Sequence, residues 1–289
     1  MLPADPNLRL IRAMNASPLT GTGTNTYLLG QEEVVVIDPG PDLPDHRAAI
    51  LSAVQGARIV AILVTHSHLD HCGMARALGH LTAAPVLAFG PAGSGRSDRM
   101  ALLAVAGLTD GGEGFDRSFD PDRRLADGEI LQIAGQTIEV QHTPGHTGCH
   151  LCFAWGDRLF AGDHVMGWST TLVSPPDGCM TAYVAGLHRL AARNWTVIHP
   201  GHGPEIADPA ARLAALITHR KTREADILNA LNTGPASAAT LARRVYTTTP
   251  ANLLPAATRN VLAHLIDLEG RGLVTTRDTI VVDTTFARA

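Results

Sequence analysis

Apolar positions along the chain change period several times, and each change predicts an element. At residues 27–30, 34–38 and 58–64, short runs rich in Val, Ile and Leu are bounded by Gly, Pro or Asp, the mark of buried strands. Residues 43–55 and 73–80 carry apolar side chains at helical spacing, so the first half reads as layered α/β. Strand-like runs return at 129–133, 136–141, 151–155 and 158–161, with turn signals at Ala134-Gly135 and Gly156-Asp157, which predicts a β-meander. Residues 180–193 regain helical spacing, and 196–198 form a short apolar strand that ends at Pro200-Gly201-His202-Gly203. Two repeats of strand, helix and strand predict a sandwich of two sheets between helices.

Two stretches depart from this pattern. Residues 90–124 are rich in Gly, Asp and Arg, with one short apolar segment at 100–108, and read as a long surface excursion of the kind that forms lids. From Pro209 the spacing is helical as far as Leu231, where Asn232-Thr233-Gly234-Pro235 stops it and looks like a boundary. Helical patterns at 239–245 and 256–270 follow, then a predicted hairpin of 273–276 with 279–282. Three helices and a hairpin in about sixty residues make the pattern of a winged-helix module.

A chain of 289 residues with 45% hydrophobic content can bury a full core. No apolar run approaches the ~18 to 20 residues of a membrane span, and the N-terminus lacks the apolar core of a secretory signal. The expected setting is cytoplasmic. Four cysteines (Cys72, Cys149, Cys152, Cys179) are too few for a disulfide scaffold and read as free thiols. Net charge is −4, divided between a net −7 over residues 1–219 and +3 over residues 220–289. Neither part has the basic excess of a protein that grips nucleic acid by bulk electrostatics.

The densest chemical signal follows the apolar strand at 59–64. In Thr65-His66-Ser67-His68-Leu69-Asp70-His71-Cys72-Gly73, three histidines and an aspartate fall within six residues. A strand ending there would release these side chains at a sheet edge, where imidazole and carboxylate suit zinc and its neighbours. His146, Asp163 and His202 occupy turn sites after later strands, each beside a glycine that permits tight backbone. Five His and two Asp can supply two metal ions. His142, His150, His164 and His199 lie near these positions as supporting candidates, whereas His46, His80, His188 and His264 read as ordinary core or surface residues. Asn25 is expected to fix a turn beneath the site; Thr170 and Thr171 are weak candidates for substrate contact, and Arg123-Arg124 for an anionic group.

The order and spacing of HSHLDH, PGHT, GD and PGHG resemble the metallo-β-lactamase superfamily from about Gly21 to Gly203. The resemblance implies an αββα sandwich with metals at one edge. It implies His66, His68 and His146 on the first metal, Asp70, His71 and His202 on the second, and Asp163 as the bridging carboxylate. In one group of true β-lactamases a thiolate holds the position that Asp163 matches, so antibiotic hydrolysis is not the expected native task. Gly23-Thr24-Asn25-Thr26-Tyr27, the Gly-Trp-Ser-Thr-Thr run at 167–171, Ile217-Thr218-His219-Arg220 and the tail YTTTPANLLPAATRNVLAHLIDLEGRGLV resemble the lactamase-β-like protein two branch, winged helix included. That branch holds single-strand-specific endoribonucleases and polyketide-releasing thioesterases. The expected division is a catalytic domain over residues 1–220 and a winged-helix-like domain over 221–289.

The implied reaction is hydrolysis assisted by two zinc ions, with manganese or iron as alternatives. The pair lowers the pKa of a bridging water towards neutrality, so that hydroxide attacks while Asp70 orients it. Three functions compete: hydrolysis of a small ester or thioester, phosphodiester cleavage in single-stranded RNA, and a winged-helix nucleic-acid-binding regulator with a sensing metal domain. A recognition helix should present basic or amide side chains to base edges. Residues 256–270 offer only Arg259 and Asn260, beside Asp267 and Glu269, which weakens the third function. The tail is then a packing element, a homodimer contact or a pocket wall.

Overall fold

The computed structural model describes residues 5–109 and 114–289. One sheet runs β1 (Leu8–Arg12), β2 (Asn25–Gly30), β3 (Glu33–Ile37), β4 (Arg58–Leu63), β5 (Val86–Ala88) and β6 (Arg123–Arg124) in sequence order. Its first three strands are antiparallel, and β3 to β6 are parallel. A second sheet is the expected meander of β7 (Ile130–Ile133), β8 (Gln136–His142), β9 (Leu151–Trp155) and β10 (Arg158–Gly162), closed by β11 (Val197–Pro200) parallel to β10.

Alternation along β3 shows why these strands read as continuous apolar runs. Val35 and Ile37 face the second sheet, in one core with Leu63, Val140, Phe153 and Phe160. Val34 and Val36 face outward, beneath α1 (Pro44–Ala53) and α3 (Ala75–Thr82), with Ile50 and Leu78. A strand covered on both faces has no polar side to display. The second sheet is covered by α5 (Met180–Ala191) and α6 (Pro209–Leu231), through Tyr183, Leu187, Leu213 and Leu216. Asp208 caps α6 by accepting the Ala211 N–H at 3.0 Å, and Pro209 opens it with φ already set. The result is the expected αββα sandwich.

The expected surface excursion contains regular elements. It holds α4 (Asp98–Val105) and β6, although residues 110–113 of it lie outside the described residues. Its apolar segment buries Met100 and Leu108 in the core of the C-terminal module. Beyond α6 come β12 (Ala236–Ser237), α7 (Ala238–Val245), a 3-10 turn at Ala251–Leu253, α8 (Leu254–Gly270), β13 (Val274–Thr275) and β14 (Thr285–Arg288). The wing differs from the sequence expectation. Residues 279–282 are not a strand; the return strand is β14, paired with both β12 and β13. Phe286 fills the core there, and a longer loop precedes it. The strand β1 is not evident in the periodicity, because its outer residues are partly exposed.

His264 on α8 is buried with no hydrogen-bond partner for either ring nitrogen. Burial first, and then the positive charges of Arg220, Arg271 and Arg223, lower its pKa to about 3. The unfolded chain takes up this proton near 6.5 and the folded chain does not. His264 therefore contributes stability above pH 6.5 that is lost as pH falls from 6.5 towards 3, by about 1.4 kcal/mol per pH unit. Replacing His264 with Leu is expected to flatten the acid limb of a denaturation series by about one proton; an unchanged slope would refute this assignment.

Candidate metal centre

The chain leaves β4 at Val64, β8 at Thr143, β10 at Asp163 and β11 at Gly201, and all four exits lie along one edge of the sandwich. Seven side chains meet there. His66 Nε2 lies 2.9 Å from His68 Nδ1, and His146 Nε2 lies 3.0 Å from the same atom. Beside this trio, His71 Nε2 and His202 Nε2 are 3.2 Å apart, with Asp70 Oδ2 at 3.3 Å from His202 and 3.7 Å from His71. Asp163 sits between the two sets. Its Oδ1 is 3.4 Å from both His71 Nε2 and His202 Nε2, and its Oδ2 is 3.8 Å from His146 Nε2. Donor atoms of His66, His68 and His146, of His66, His71 and Asp163, and of Asp70, His71 and His202 each fall within the reach of one ion.

The supporting hydrogen bonds test whether these groups suit cations. His146 Nδ1 donates to Leu172 O at 2.7 Å, His202 Nδ1 to Gly23 O at 3.3 Å and His71 Nδ1 to Asp38 Oδ2 at 2.8 Å. Thr65 Oγ1 donates to Asp38 Oδ2 at 2.8 Å, so it accepts from His66 Nδ1 at 2.9 Å. Each contact engages Nδ1 and so leaves Nε2 as the ring atom aimed into the cluster. In the His66, His68 and His146 trio, ring nitrogens that face one another at 2.9 and 3.0 Å repel unless a proton or a cation lies among them. Asp163 Oδ1 is likewise buried without a hydrogen-bond partner. The donor set, all imidazole and carboxylate, fits divalent ions.

The two halves of the cluster differ in proton affinity. Burial, then His71, His68 and His146, hold His66 well below its usual pKa; burial and His146 take His68 to about 3. Both are neutral imidazoles at pH 7. Burial would lower His202 too, but Asp163 and Asp70 raise it to about 9. Burial would raise Asp163, whereas His202 and His71 hold it well below the usual carboxylate range.

Other candidates separate clearly. His150 Nε2 accepts the Asp163 N–H at 3.2 Å and so supports the cluster from behind. His142 instead donates to Gly148 O, His164 packs on Tyr183, and His199 lies against Tyr27 and Phe160. His80 and His188 are exposed, and His46 pairs with Thr26. Asn25 is buried and donates to Pro200 O and Gly203 O at 3.0 and 2.8 Å, tying down the loop that carries His202. Thr170 lines the cleft above the cluster. Thr171 does not reach it: fully buried, it donates to Asp163 O at 2.7 Å. Arg123 pairs with Glu129 on an exposed edge strand. Cys149 and Cys152 are buried free thiols with separate partners, Ser67 for the first and Thr143 for the second.

Sequence reasoning misses Asp38. It accepts from the Thr65 N–H and hydroxyl and from His71 with its two oxygens, so one carboxylate orients both histidine sets. Its signal is the one used for the ligands, an acid ending an apolar strand before Pro39-Gly40. Asp70 is in the first turn of a short helix, α2 (Leu69–Cys72).

Gly201 shows how tightly the edge is drawn. A Cβ there would meet Asp163 Oδ1 at 2.5 Å and His71 Cε1 at 2.6 Å. Gly201→Ala is expected to displace two donors and lower metal affinity by on the order of tenfold or more. Chelator competition would show it, and affinity equal to the parent would contradict the geometry.

Comparison with known proteins agrees with this arrangement. Residues 19–217 match the family model described as Metallo-beta-lactamase superfamily, and residues 237–280 match Beta-lactamase associated winged helix domain. A Beta-lactamase-like protein 2 homolog of Drosophila melanogaster is 32% identical over 91% of this chain and 87% of its own length. An Atrochrysone carboxyl ACP thioesterase of Aspergillus chevalieri is 32% identical over 77% of this chain and 66% of its own. A metallo-beta-lactamase family protein of Thermus thermophilus superposes with a TM-score of 0.79 at 26% identity, covering 98% of this chain and 99% of that one. A protein solved in a di-iron-bound form superposes at 0.51 with 30% identity, over 68% and 96%. The chain belongs to the metallo-beta-lactamase superfamily, in the form that carries a beta-lactamase associated winged helix domain.

Proposed function

We propose that this protein is a dinuclear zinc hydrolase of ester or thioester bonds in uncharged acyl groups. His66, His68 and His146 would hold one ion and Asp70, His71 and His202 the other, with Asp163 shared between them. When bound, such a pair supplies a Lewis acid for the carbonyl under attack and a water acidic enough to attack it at neutral pH. The chain's own residues set the geometry: Asp38, Leu172 and Gly23 fix the imidazole orientations, and Asp70 would orient the attacking water.

The composition of the cleft carries this reading. The space above the cluster, about 240 Å³, is walled by Leu19, Met166, Leu172 and Leu253 and by the uncharged polar groups of Ser169, Thr170, Tyr246 and Thr249. Among the described residues, no Arg or Lys lines it. Arg212 and Arg220 reach the back of the wall but are occupied by carbonyls of Met166, Ser169 and Thr171. A nucleic-acid strand needs cations along its phosphates; an acyl chain needs apolar wall and a few polar anchors. The thioesterase name borne by Aspergillus relatives agrees with this substrate class.

Arg259 and Asn260, the two residues of α8 suited to reading bases, are buried against residues 173–175. That arrangement favours a pocket wall over a regulator. We take residues 1–220 as catalytic and 221–289 as the winged-helix-like domain, with α6 running through the junction. Among the described residues no helix is long and apolar enough to cross a membrane. The free cysteines accord with the cytoplasmic setting we propose.

The test is to assay metal-loaded protein on acyl-pantetheine thioesters and on a labelled single-stranded RNA, with elemental analysis alongside. Thioester hydrolysis at about two zinc ions per chain is expected. RNA cleavage with inert thioesters, or fewer than one transition metal per chain with chelator-insensitive activity, would overturn the proposal.

A further inference from the structure

We propose that Asn260, on α8 of the C-terminal module, is a substrate-binding residue whose carboxamide N–H groups donate to an acceptor oxygen of the acyl substrate. The inference rests on reading the cleft as a hydrolase site. Asn260 lines the same space as His68, Asp70, His146 and Asp163, although it lies 58 positions beyond His202 in the chain.

The orientation of the carboxamide is settled by its partners. Oδ1 accepts from the Val173 N–H at 3.0 Å and from Arg220 Nη1 at 3.3 Å. A backbone N–H and a guanidinium can only donate, so the atom facing them is the oxygen and the amide cannot be flipped. The nitrogen is therefore turned the other way. It makes no hydrogen bond to the described residues, yet it is not among the polar atoms sealed from solvent without a partner. Its two N–H groups are left for whatever occupies the cleft.

The anchorage is rigid relative to the metal ligands. Val173 follows Leu172, whose carbonyl takes the His146 Nδ1 proton. Arg220 also binds Thr171 O, and the Thr171 hydroxyl binds Asp163 O. One short segment thus positions His146, Asp163 and the Asn260 donor together. A donor held this way needs no reorganisation when substrate arrives. If Asn260 only fastened residues 171–173, the oxygen alone would suffice.

That difference is testable. Asn260→Asp keeps an acceptor oxygen for Val173 and Arg220 and replaces the donor with a second acceptor. Asn260→Ala removes the donor without adding charge. Both variants are compared with the parent for zinc content, thermal midpoint and kcat/KM on an acyl-pantetheine thioester, and for calorimetric binding of a simple aliphatic hydroxamate to the metal-loaded protein. The expected result is a loss of about tenfold in kcat/KM and in hydroxamate affinity in both variants, with Asn260→Asp retaining parental zinc and midpoint. Should either folded variant keep both quantities within about twofold of the parent, the proposal is overturned; should one variant fail to fold, the other decides. If the parent turns over no thioester, the hydrolase reading fails by itself, and hydroxamate binding still reports on Asn260.

Discussion

Asp163→Ala is expected to abolish turnover and release more metal than any other single ligand substitution. Asp163 reaches both halves of the cluster, with Oδ1 towards His71 and His202 and Oδ2 towards His146. Asp70 touches only the second half. Loss of a residue that merely orients a ligand typically costs 10- to 100-fold in affinity or activity, so loss of the shared carboxylate should cost on the order of a hundredfold or more. Removal of the charge also leaves five imidazoles around a cation with one carboxylate fewer to offset it. Asp70→Ala should lower turnover comparably and keep the ion held by His66, His68 and His146. Zinc content separates the two variants: near zero to one ion for Asp163→Ala, about one for Asp70→Ala. Equal and undiminished zinc in both would show that the carboxylates are not ligands. The fold should survive in each, since both side chains lie at the sheet edge outside the apolar cores.

Much of this site was legible because strand ends are legible. A buried strand reads as an apolar run, and a His or Asp beside Gly at its end has little structural reason to be there. That logic placed His66, His68, Asp70, His71, His146, Asp163 and His202 in one cluster, as the geometry has them. It would have found Asp38 too, had the same question been put to Val34-Val35-Val36-Ile37-Asp38-Pro39-Gly40. The cleft was not legible. Its wall is assembled from Leu19, Met166, Tyr246 and Leu253, which are distant in sequence and chemically ordinary, and only tertiary packing brings them together. The wing failed for a related reason: Thr279 to Val282 has strand-like composition, but Phe286 is the residue that fills the core, and this sets the register of β14.

Deletion of residues 235–289 is expected to remove turnover and also to weaken metal retention, although every ligand lies before the deleted segment. The sequence alone suggests a metal site complete at His202. In the fold, Arg259 binds Ser174 Oγ at 2.9 Å and Pro175 O, and Asn260 binds Val173 N. These contacts hold the segment whose Leu172 carbonyl orients His146. The deletion further uncovers Met100 and Leu108, which share a core with Val261, Leu262, Leu265 and Ile266. Such a truncation risks simple insolubility, so Arg259→Ala is the sharper variant. It removes charged hydrogen bonds from buried carbonyls while leaving α8 in place, and each such bond contributes about 1.5 to 3 kcal/mol. The variant should unfold at a lower temperature and bind zinc less tightly at the site of His66, His68 and His146, by on the order of tenfold. Zinc affinity at the Asp70, His71 and His202 site should change less, because those imidazoles are oriented by Gly23 and Asp38 and not by residues 171–175. Equal weakening at both sites would mean that the module acts through overall stability and not through residues 171–175.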